Sequence, residues 1–173
     1  MKILVGISGA SGFSLGKKTY DLIPKIYEKH LIISDNAKIV ASKEENIYTN
    51  NEIWQKPASG SFGIDIMMIT PCSMNTLAKI ANGIEDNLIT RSAGVIIKER
   101  KTLLIAPREM PFSAIHLENM LKLSRLGVII APPIMGYYSD NDNLEKMENF
   151  IIGKWFDLVG IKNNLYKRWN GWE

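Results

Sequence analysis

The sequence predicts a doubly wound α/β fold, a parallel sheet with helices on both faces, from two features of its pattern. Short, continuous apolar runs alternate along the chain with helix-length segments, which is typical of strands buried on both faces of a parallel sheet. A Gly/Ser-rich turn, GISGASG, directly follows the first of these runs. The expected strands are residues 3–7, 31–33, 64–69, 103–106 and 128–131.

The segments between the strands have the lengths of helices and predict right-handed crossovers. Pro24 should kink or shorten the first helix, because proline disrupts a helix interior. Residues 46–62, rich in Asn, Ser, Gly and Pro, predict a long loop, which in a compact domain is usually functional. The expected helices are residues 14–28, 37–43, 73–81, 88–99, 113–123 and 143–158.

Length and composition predict a single domain over residues 1–173. Residues 162–173, rich in Tyr and Trp, predict a tail that packs on the body or on a neighbouring subunit. No apolar run approaches the roughly 20 residues of a membrane span. The net charge of +3 is too small to indicate nucleic acid as the main partner. Cys72, the single cysteine, excludes an internal disulfide and predicts a reducing compartment, the cytoplasm.

The Gly/Ser turn, residues 6–12, predicts a site for the phosphate end of a nucleotide. It joins a strand to a helix, where backbone N–H groups and the helix dipole favour a phosphate. The spacing is GxxGxxG rather than GxGxxG. The turn also resembles that of some short-chain dehydrogenases, in which Asp35 would bind the ribose of an adenosine. Against this reading, no Tyr of the chain is followed four residues later by Lys, as that enzyme class requires. Read alone, the turn leaves FMN, NAD and a purely structural role open.

Two further clusters follow later strands and should lie at the same sheet edge. Ser73 and Asn75, in TPCSMNT, are either helix caps or polar groups that face a ligand. Arg108 and Glu109 stand between two prolines. Arg108 suits a bidentate phosphate contact, and Glu109 suits proton transfer if partial burial raises its pKa. The alternative for this second cluster is a surface ion pair.

Isolated polar residues are interpreted as structural. His116 lies one turn into a predicted helix, and Cys72 has no His or second Cys placed to activate it. His30 precedes a predicted strand and is expected at the surface. Asp140-Asn141-Asp142 resembles half of an acidic Mg²⁺ motif but falls in a predicted loop. The sequence therefore predicts no metal site.

Taken together, these clusters resemble the UbiX/Pad1 family of flavin prenyltransferases, and the resemblance runs through nearly the whole chain. The stretch from Pro107 to Gly127 is highly specific. The wider group of flavin-dependent cysteine decarboxylases shares the fold and is the alternative, although its catalytic His and other signatures are not found. A flavin-binding protein without catalysis is a further alternative. The matching segments are GISGASG, PASGS at 57–61, TPCSMNTLAKIANGIEDNLITR from Thr70, KER at Lys98, PREMPFSAIHLENMLKLSRLG from Pro107, GYY from Gly136 and RW at Arg168.

The resemblance implies a Rossmann-like, flavodoxin-type three-layer sandwich that assembles into a dodecamer with active sites between subunits. The implied reaction joins the dimethylallyl group of dimethylallyl phosphate to N5 and C6 of reduced FMN, without a metal. The product, prenylated FMN, would then serve a UbiD-type decarboxylase.

The resemblance also assigns roles to residues. Glu109 and Ser11 are expected to move protons, and Trp54 to present a π face to the cationic prenyl fragment. Lys154 stands where many relatives carry Arg, which keeps the charge but loses the fork geometry. The implied FMN-binding residues are Gly9, Ala10, Ser11, Ser34, Ser73, Met74, Asn75, Thr76 and Arg108. The implied donor-binding residues are Tyr138, Lys154, Lys98, Arg91 and Glu44.

Overall fold

The computed structural model describes residues 1–9, 11–34, 46–137 and 142–169. Contacts divide the chain into two compact units, Met1–Pro132 and Pro133–Glu173. The second unit contains α5 (Leu144–Leu158) and the C-terminal tail. The first contains the sheet and the helices α1 (Phe13–Leu22), α2 (Met74–Ala81), α3 (Leu88–Lys98) and α4 (Ala114–Arg125).

The strands of the described residues form one parallel sheet, in the order β3-β2-β1-β4-β5-β6. From β1, the strands β2 and β3 extend the sheet to one side, and β4, β5 and β6 extend it to the other, so the direction of winding reverses between β1 and β4. In doubly wound folds, the carboxyl ends of the strands at such a switch point form the ligand crevice. The order confirms the predicted fold class. The strands are β1 (Lys2–Ile7), β2 (Glu28–Ile33), β3 (Ile47–Thr49), β4 (Ile66–Cys72), β5 (Thr102–Pro107) and β6 (Ile129–Ile130).

Helices cover both faces of this sheet. Leu4, Ile69 and Ile105 belong to one apolar cluster with side chains of α2, α3 and α4. Ile7 points to the opposite face from Leu4, because successive strand residues alternate between faces, and there it meets α1 at Gly16. Burial on both faces explains why the strands are continuous apolar runs rather than alternating ones.

The structure corrects several predicted bounds. Helix α1 ends at Leu22, before Pro24, and β2 begins at Glu28, so the predicted helix 14–28 is too long. Strand β3 lies inside the predicted loop 46–62, because a run of three residues is too short for its pattern to be recognised. Strand β4 begins and ends later than the predicted 64–69. The predicted helix 37–43 lies outside the described residues.

Gly16 allows α1 to approach the sheet, and its substitution should destabilise the fold. A Cβ at this position would lie 2.8 Å from Ile7 Cγ1 and closer still to the Thr70 carbonyl oxygen. We expect Gly16→Ala to lower the free energy of unfolding by about 1–3 kcal/mol, because overpacking outweighs the gain in helix propensity. Urea denaturation measures the change. Ser14→Ala, at an exposed position of the same helix, is the matched control, and equal stability of the two variants would contradict the prediction.

Candidate functional site

The turn after β1 brings two left-handed glycines to the carboxyl edge of the sheet. Gly9 and Gly12 have φ angles of 98° and 92°, which glycine adopts without steric cost. The Ser34 N–H, directly after β2, donates to the Ile7 carbonyl at 3.1 Å. The Gly9 N–H in turn donates to the Ser34 hydroxyl at 3.4 Å. The turn is therefore fixed to the ends of both β1 and β2.

The N-terminus of α1 has no side-chain cap, because its N-cap residue is Gly12. The free N–H groups of a first turn, together with the helix dipole, suit a phosphate. A Cβ at Gly12 would lie 3.2 Å from Pro71 Cγ and 3.6 Å from Arg108 Cδ, so the turn packs directly against the ends of β4 and β5. The other described α-helices begin with a side chain that accepts an N–H of the first turn: Ser73, Asn87, Ser113 and Asn143.

Ser8 and Ser73 connect the first turn to the end of β4. The Ser8 hydroxyl accepts the Ser73 N–H at 3.0 Å, and the Ser8 N–H donates to the Pro71 carbonyl at 3.2 Å. The Ser73 hydroxyl accepts the Thr76 N–H at 3.3 Å, so Ser73 caps α2, one of the two roles that the sequence left open for it. A Cβ at Gly9 would lie 3.6 Å from the Ser73 Cβ. The two predicted clusters therefore meet at the switch point of the sheet.

Arg108 and Glu109 follow β5 at the same edge. The Arg108 N–H donates to the Cys72 carbonyl at 3.2 Å, which aligns the end of β5 with that of β4. Both side chains are exposed, and Glu109 Oε1 accepts the Met110 N–H at 3.1 Å. The described residues include no ion pair between Arg108 and Glu109. The partial burial expected of Glu109 is not found in the single chain.

Trp54 lies in the turn after β3, also beyond a carboxyl strand end. Its side chain is 75% exposed. Glu52 fixes the turn, because its carboxylate accepts both the N–H and the hydroxyl of Thr49 at 2.9 Å. Of the residues predicted to bind FMN, Met74 is half-buried in the first turn of α2, and Ser11 and Asn75 are exposed. Asn75 does not cap this helix; Ser73 does.

Arg91 and Lys98 lie on the outer face of α3. The buried side chains of this helix occupy the intervening positions. Arg91 donates to a carboxylate oxygen of Glu85, and Lys98 to one of Glu99. The helix begins beside Asn50, at the carboxyl end of β3, and ends next to the start of β5. Lys98 therefore lies about 10 Å further down the helix axis than Arg91, toward the opposite sheet edge from Arg108.

Lys154 lies in the second unit, where it is exposed on α5. Close by on the same helix, Asp157 binds the tail. Its carboxylate accepts two hydrogen bonds from Arg168, at 2.7 and 2.9 Å, and one from the Tyr166 hydroxyl at 2.6 Å. The Asn163 amide donates to it at 2.9 Å. The aromatic tail thus packs on α5 as far as the structure describes it.

This carboxylate should stabilise the second unit in a pH-dependent way. Arg168, followed by Tyr166 and Asn163, holds the pKa of Asp157 below its usual value. The contribution is complete above the unfolded pKa of about 3.9 and is lost as the pH falls toward the lower folded pKa. We expect Asp157→Asn to cost about 1–3 kcal/mol at pH 7.

Thermal unfolding at several pH values tests this prediction. The difference between the wild type and Asp157→Asn should shrink as the pH falls below ~4, because the carboxylate loses its charge as the pH approaches and passes the lowered folded pKa of Asp157. Asp142→Asn, which removes the exposed Lys146–Asp142 pair, is the control and should change little. A difference for Asp157→Asn that stays constant down to acidic pH would contradict the assigned charge.

The isolated polar residues are partly as predicted. His116 is structural, since its Nδ1 accepts the Ser113 N–H at 3.2 Å in a capping box. Cys72 is fully buried, and burial raises the pKa of its thiol to about 12. The expectation for His30 is wrong: it lies within β2, is 1% exposed, and packs edge-on against Phe62. Strand β2 starts earlier than predicted, which moves His30 from a loop into the core.

Two residues that organise this edge were missed as site residues. Ser8 joins the ends of β1 and β4. Asn50 joins β3 to α3, because its backbone carbonyl and side-chain oxygen accept the Leu88 and Ile89 N–H groups, each at 2.8 Å. The only sequence signal for Ser8 is its place inside GISGASG. Asn50 has no signal, since the strand before it was not recognised.

Several features lie outside the described residues or are absent from them. Ala10, Glu44 and Tyr138 fall in the segments that the structure does not describe. Within the described ranges, no group of His, Cys, Asp and Glu could hold a metal ion. No helix in these ranges has both the length and the apolar character to cross a membrane.

Comparison with known proteins matches this architecture to one group. A family model described as Flavoprotein matches residues 1–152. The flavin prenyltransferase UbiX of Helicobacter pylori is 49% identical over an alignment of 184 positions, which covers 98% of this chain and 98% of the relative. The flavin prenyltransferase UbiX of Methanocaldococcus jannaschii is 44% identical over an alignment of 181 positions, which again covers 98% of each chain.

Solved structures agree with the sequence relatives. The crystal structure of AnUbiX (PadA1) in complex with FMN and dimethylallyl pyrophosphate has a TM-score of 0.92 and 36% identity, and covers 99% of this chain and 98% of that chain. The dodecameric FMN-dependent Ubix-like decarboxylase from Escherichia coli O157:H7 has a TM-score of 0.92 and 34% identity, and covers 99% and 100%.

Proposed function

This chain belongs to the Flavoprotein family and, within it, to the flavin prenyltransferases of the UbiX type, and we propose that it transfers a dimethylallyl group to reduced FMN. The observation that carries the proposal is the meeting of three strand ends at the switch point. Ser73 after β4 and Arg108 after β5 both lie against the turn after β1 there.

The residues at this edge fit the phosphate end of FMN. The first turn of α1 offers N–H groups without a side-chain cap, and Arg108 adds a guanidinium suited to bidentate phosphate binding. Gly9 and Ser34 shape the turn, and Ser73 and Thr76 place hydroxyl groups beside it. We assign Ala10, Ser11, Met74 and Asn75 to the same ligand on the strength of the family motifs alone.

The donor needs cations around its phosphate. Loss of the allylic C–O bond leaves an inorganic phosphate product, and positive side chains stabilise the charge that develops on it. We assign this role to Arg91, Lys98 and Lys154, with Tyr138 and Glu44 as further donor contacts. AnUbiX was crystallised with the pyrophosphate. The donor of this chain is proposed to be dimethylallyl phosphate, with dimethylallyl pyrophosphate as the alternative.

The chain's own residues then supply proton transfer and cation stabilisation. Glu109 is proposed to remove the proton that leaves flavin C6 when the second bond, the carbon–carbon bond between the prenyl group and C6, closes, with Ser11 as relay to the departing phosphate. The exposed indole of Trp54 lies at the same edge and suits a cationic prenyl carbon. Bound FMN supplies the nucleophilic ring atoms.

A complete site requires more than one copy of the chain. Lys98 lies at the far end of α3 from the carboxyl edge that holds Arg108, so both can meet one donor only if a neighbouring subunit provides Lys98. Helix α4 also leaves Ile115, Leu117 and Leu121 more than half exposed, as an interface would require. The dodecamer of the Escherichia coli relative supports twelve copies here too.

The product is proposed to serve a UbiD-type decarboxylase in the cytoplasm, a location that fits the single, buried cysteine.

Filtered product from an anaerobic reaction, added to a UbiD-type apoenzyme made without prenylated flavin, should restore the decarboxylase activity of that apoenzyme. The matched control is filtrate from a reaction without donor. Filtrates that fail to activate the apoenzyme, from reactions in which the flavin has been consumed, would contradict the partner. CO₂ release from a cysteinyl substrate with unchanged flavin would favour the decarboxylase alternative.

A further inference from the structure

The outer face of α3 contains a charged pair whose partner residue has no assigned role. Arg91 donates through Nη1 to Glu85 Oε2, and Glu85 belongs to the loop that connects α2 to α3. The side chains are partly exposed, 44% for Arg91 and 31% for Glu85. Exposed pairs of this kind contribute little to stability, so the pair calls for another explanation.

Gly94 shows that the position of Glu85 is built into the helix. A Cβ at Gly94 would lie 2.7 Å from the Glu85 carboxyl carbon and closer still to its Oε1. One carboxylate oxygen therefore rests on the helix backbone while the other binds Arg91. A glycine inside a helix costs about 1 kcal/mol relative to alanine. The chain thus gives up helix stability at a position where a side chain would displace Glu85.

Lys98, on the same face, has a similar arrangement. Glu99 binds its ammonium group, and a Cβ at Gly60 would lie 3.1 Å from the Glu99 carboxyl carbon. Both of the α3 cations that we assign to the donor phosphate are therefore held by a carboxylate that packs against a glycine.

We propose that Glu85 is a positioning residue for the donor phosphate, because it fixes the Arg91 guanidinium in the orientation that binds the phosphate. This inference rests on the proposed function of Arg91. The Glu85 carboxylate binds Nη1 of Arg91, and no described residue accepts a hydrogen bond from Nε or Nη2 of this arginine. Those N–H groups stay available for a phosphate, and a guanidinium that is already ordered loses less conformational entropy when it binds.

The negative charge of Glu85 acts in the opposite direction, because it partly offsets the attraction of Arg91 for a phosphate. At an exposed site this Coulomb cost is reduced by solvent. We expect the ordering of the Arg91 guanidinium to have a larger effect on donor binding than the negative charge of Glu85. Removal of the side chain therefore weakens donor binding, whereas a charge-dominated pair would bind the donor more tightly once Glu85 is gone.

Steady-state kinetics on the full-length oligomer test this inference. Glu85→Ala should raise the KM for dimethylallyl phosphate and the inhibition constant for inorganic phosphate about three- to tenfold, with kcat and the KM for FMN unchanged. Glu85→Gln keeps an oxygen that can accept from Arg91. Its KM for the donor and its inhibition constant for phosphate should therefore lie between those of the wild type and those of Glu85→Ala. Asp86→Asn is the matched control, since this neighbouring carboxylate binds Lys79 instead, and it should leave both constants unchanged.

Gly94→Ala provides an independent route to the same effect. In the wild type it should displace Glu85 and raise the donor KM. In the Glu85→Ala background it should leave the donor KM unaltered and raise the melting temperature through helix propensity.

The inference is overturned if donor and phosphate constants stay unchanged or fall in Glu85→Ala while the wild type turns over. A wild type that does not prenylate FMN would instead refute the proposed function. A role confined to stability would move the melting temperature of Glu85→Ala and leave the donor KM as it was.

Discussion

Glu109→Gln is expected to retain FMN binding and to lose turnover about 10²- to 10⁴-fold, the range that a positioned acid or base contributes. The amide has nearly the shape of the carboxylate and can still accept the Met110 N–H, which Glu109 Oε1 accepts in the structure. It cannot take up the proton that leaves when the new ring closes. The loss should therefore appear in kcat, with the KM values for FMN and donor little changed.

Single-turnover kinetics under anaerobic conditions separate binding from chemistry for this variant. Glu118→Gln is a suitable control, because Glu118 is an exposed carboxylate on α4 without an assigned role. A Glu109→Gln enzyme that turns over like the wild type would show that another group moves the proton. A variant that no longer binds FMN would place Glu109 in binding rather than in catalysis.

Lys98→Ala is expected to lose donor binding, and its activity should be restored by subunits that carry a different defect. Loss of a charged phosphate contact lowers kcat/KM for the donor by about 10- to 100-fold. Because Lys98 and Glu109 lie toward opposite edges of one sheet, the proposed site draws them from different copies. Each variant alone is impaired, but a mixed oligomer contains some sites in which both residues are native.

Co-expression of Glu109→Gln and Lys98→Ala chains with different affinity tags tests this arrangement. Doubly purified mixed oligomers should recover about a quarter of the wild-type activity, since each site draws the two residues independently from its neighbours. A mixture of separately assembled homo-oligomers is the control. Activity of the mixed oligomers equal to the average of the two variants would contradict a shared site.

Most of the fold could be predicted because burial on both faces leaves a strong sequence signal. The strands β1, β5 and β6 and the helices α2 to α5 are where the apolar pattern indicates. The failures have local causes. Glu28 and Lys29 are polar residues at the start of β2, where the strand emerges from the core, and β3 is too short for its pattern to be read. Pro71, which normally indicates a turn, is buried inside β4.

The candidate site was predictable in part because the ends of parallel strands share one edge. That geometry brings the glycine turn, Ser73 and Arg108 together without any knowledge of contacts. The sequence could not show that Ser8 ties two of these ends together, since a serine in a glycine turn has many roles. It also could not show that Arg91 and Lys98 bind Glu85 and Glu99, because helix periodicity indicates the exposed face but not the residues that lie against it.

The mass of the flavin that the enzyme releases distinguishes prenyl transfer from flavin binding and from decarboxylation. Purified protein is incubated anaerobically with FMN, a reductant and dimethylallyl phosphate, and the released flavin is analysed by mass spectrometry beside reactions that lack enzyme or donor. We expect a flavin heavier than FMN by one C₅H₈ unit, formed together with inorganic phosphate. A flavin of unchanged mass with either dimethylallyl phosphate or dimethylallyl pyrophosphate would contradict this expectation.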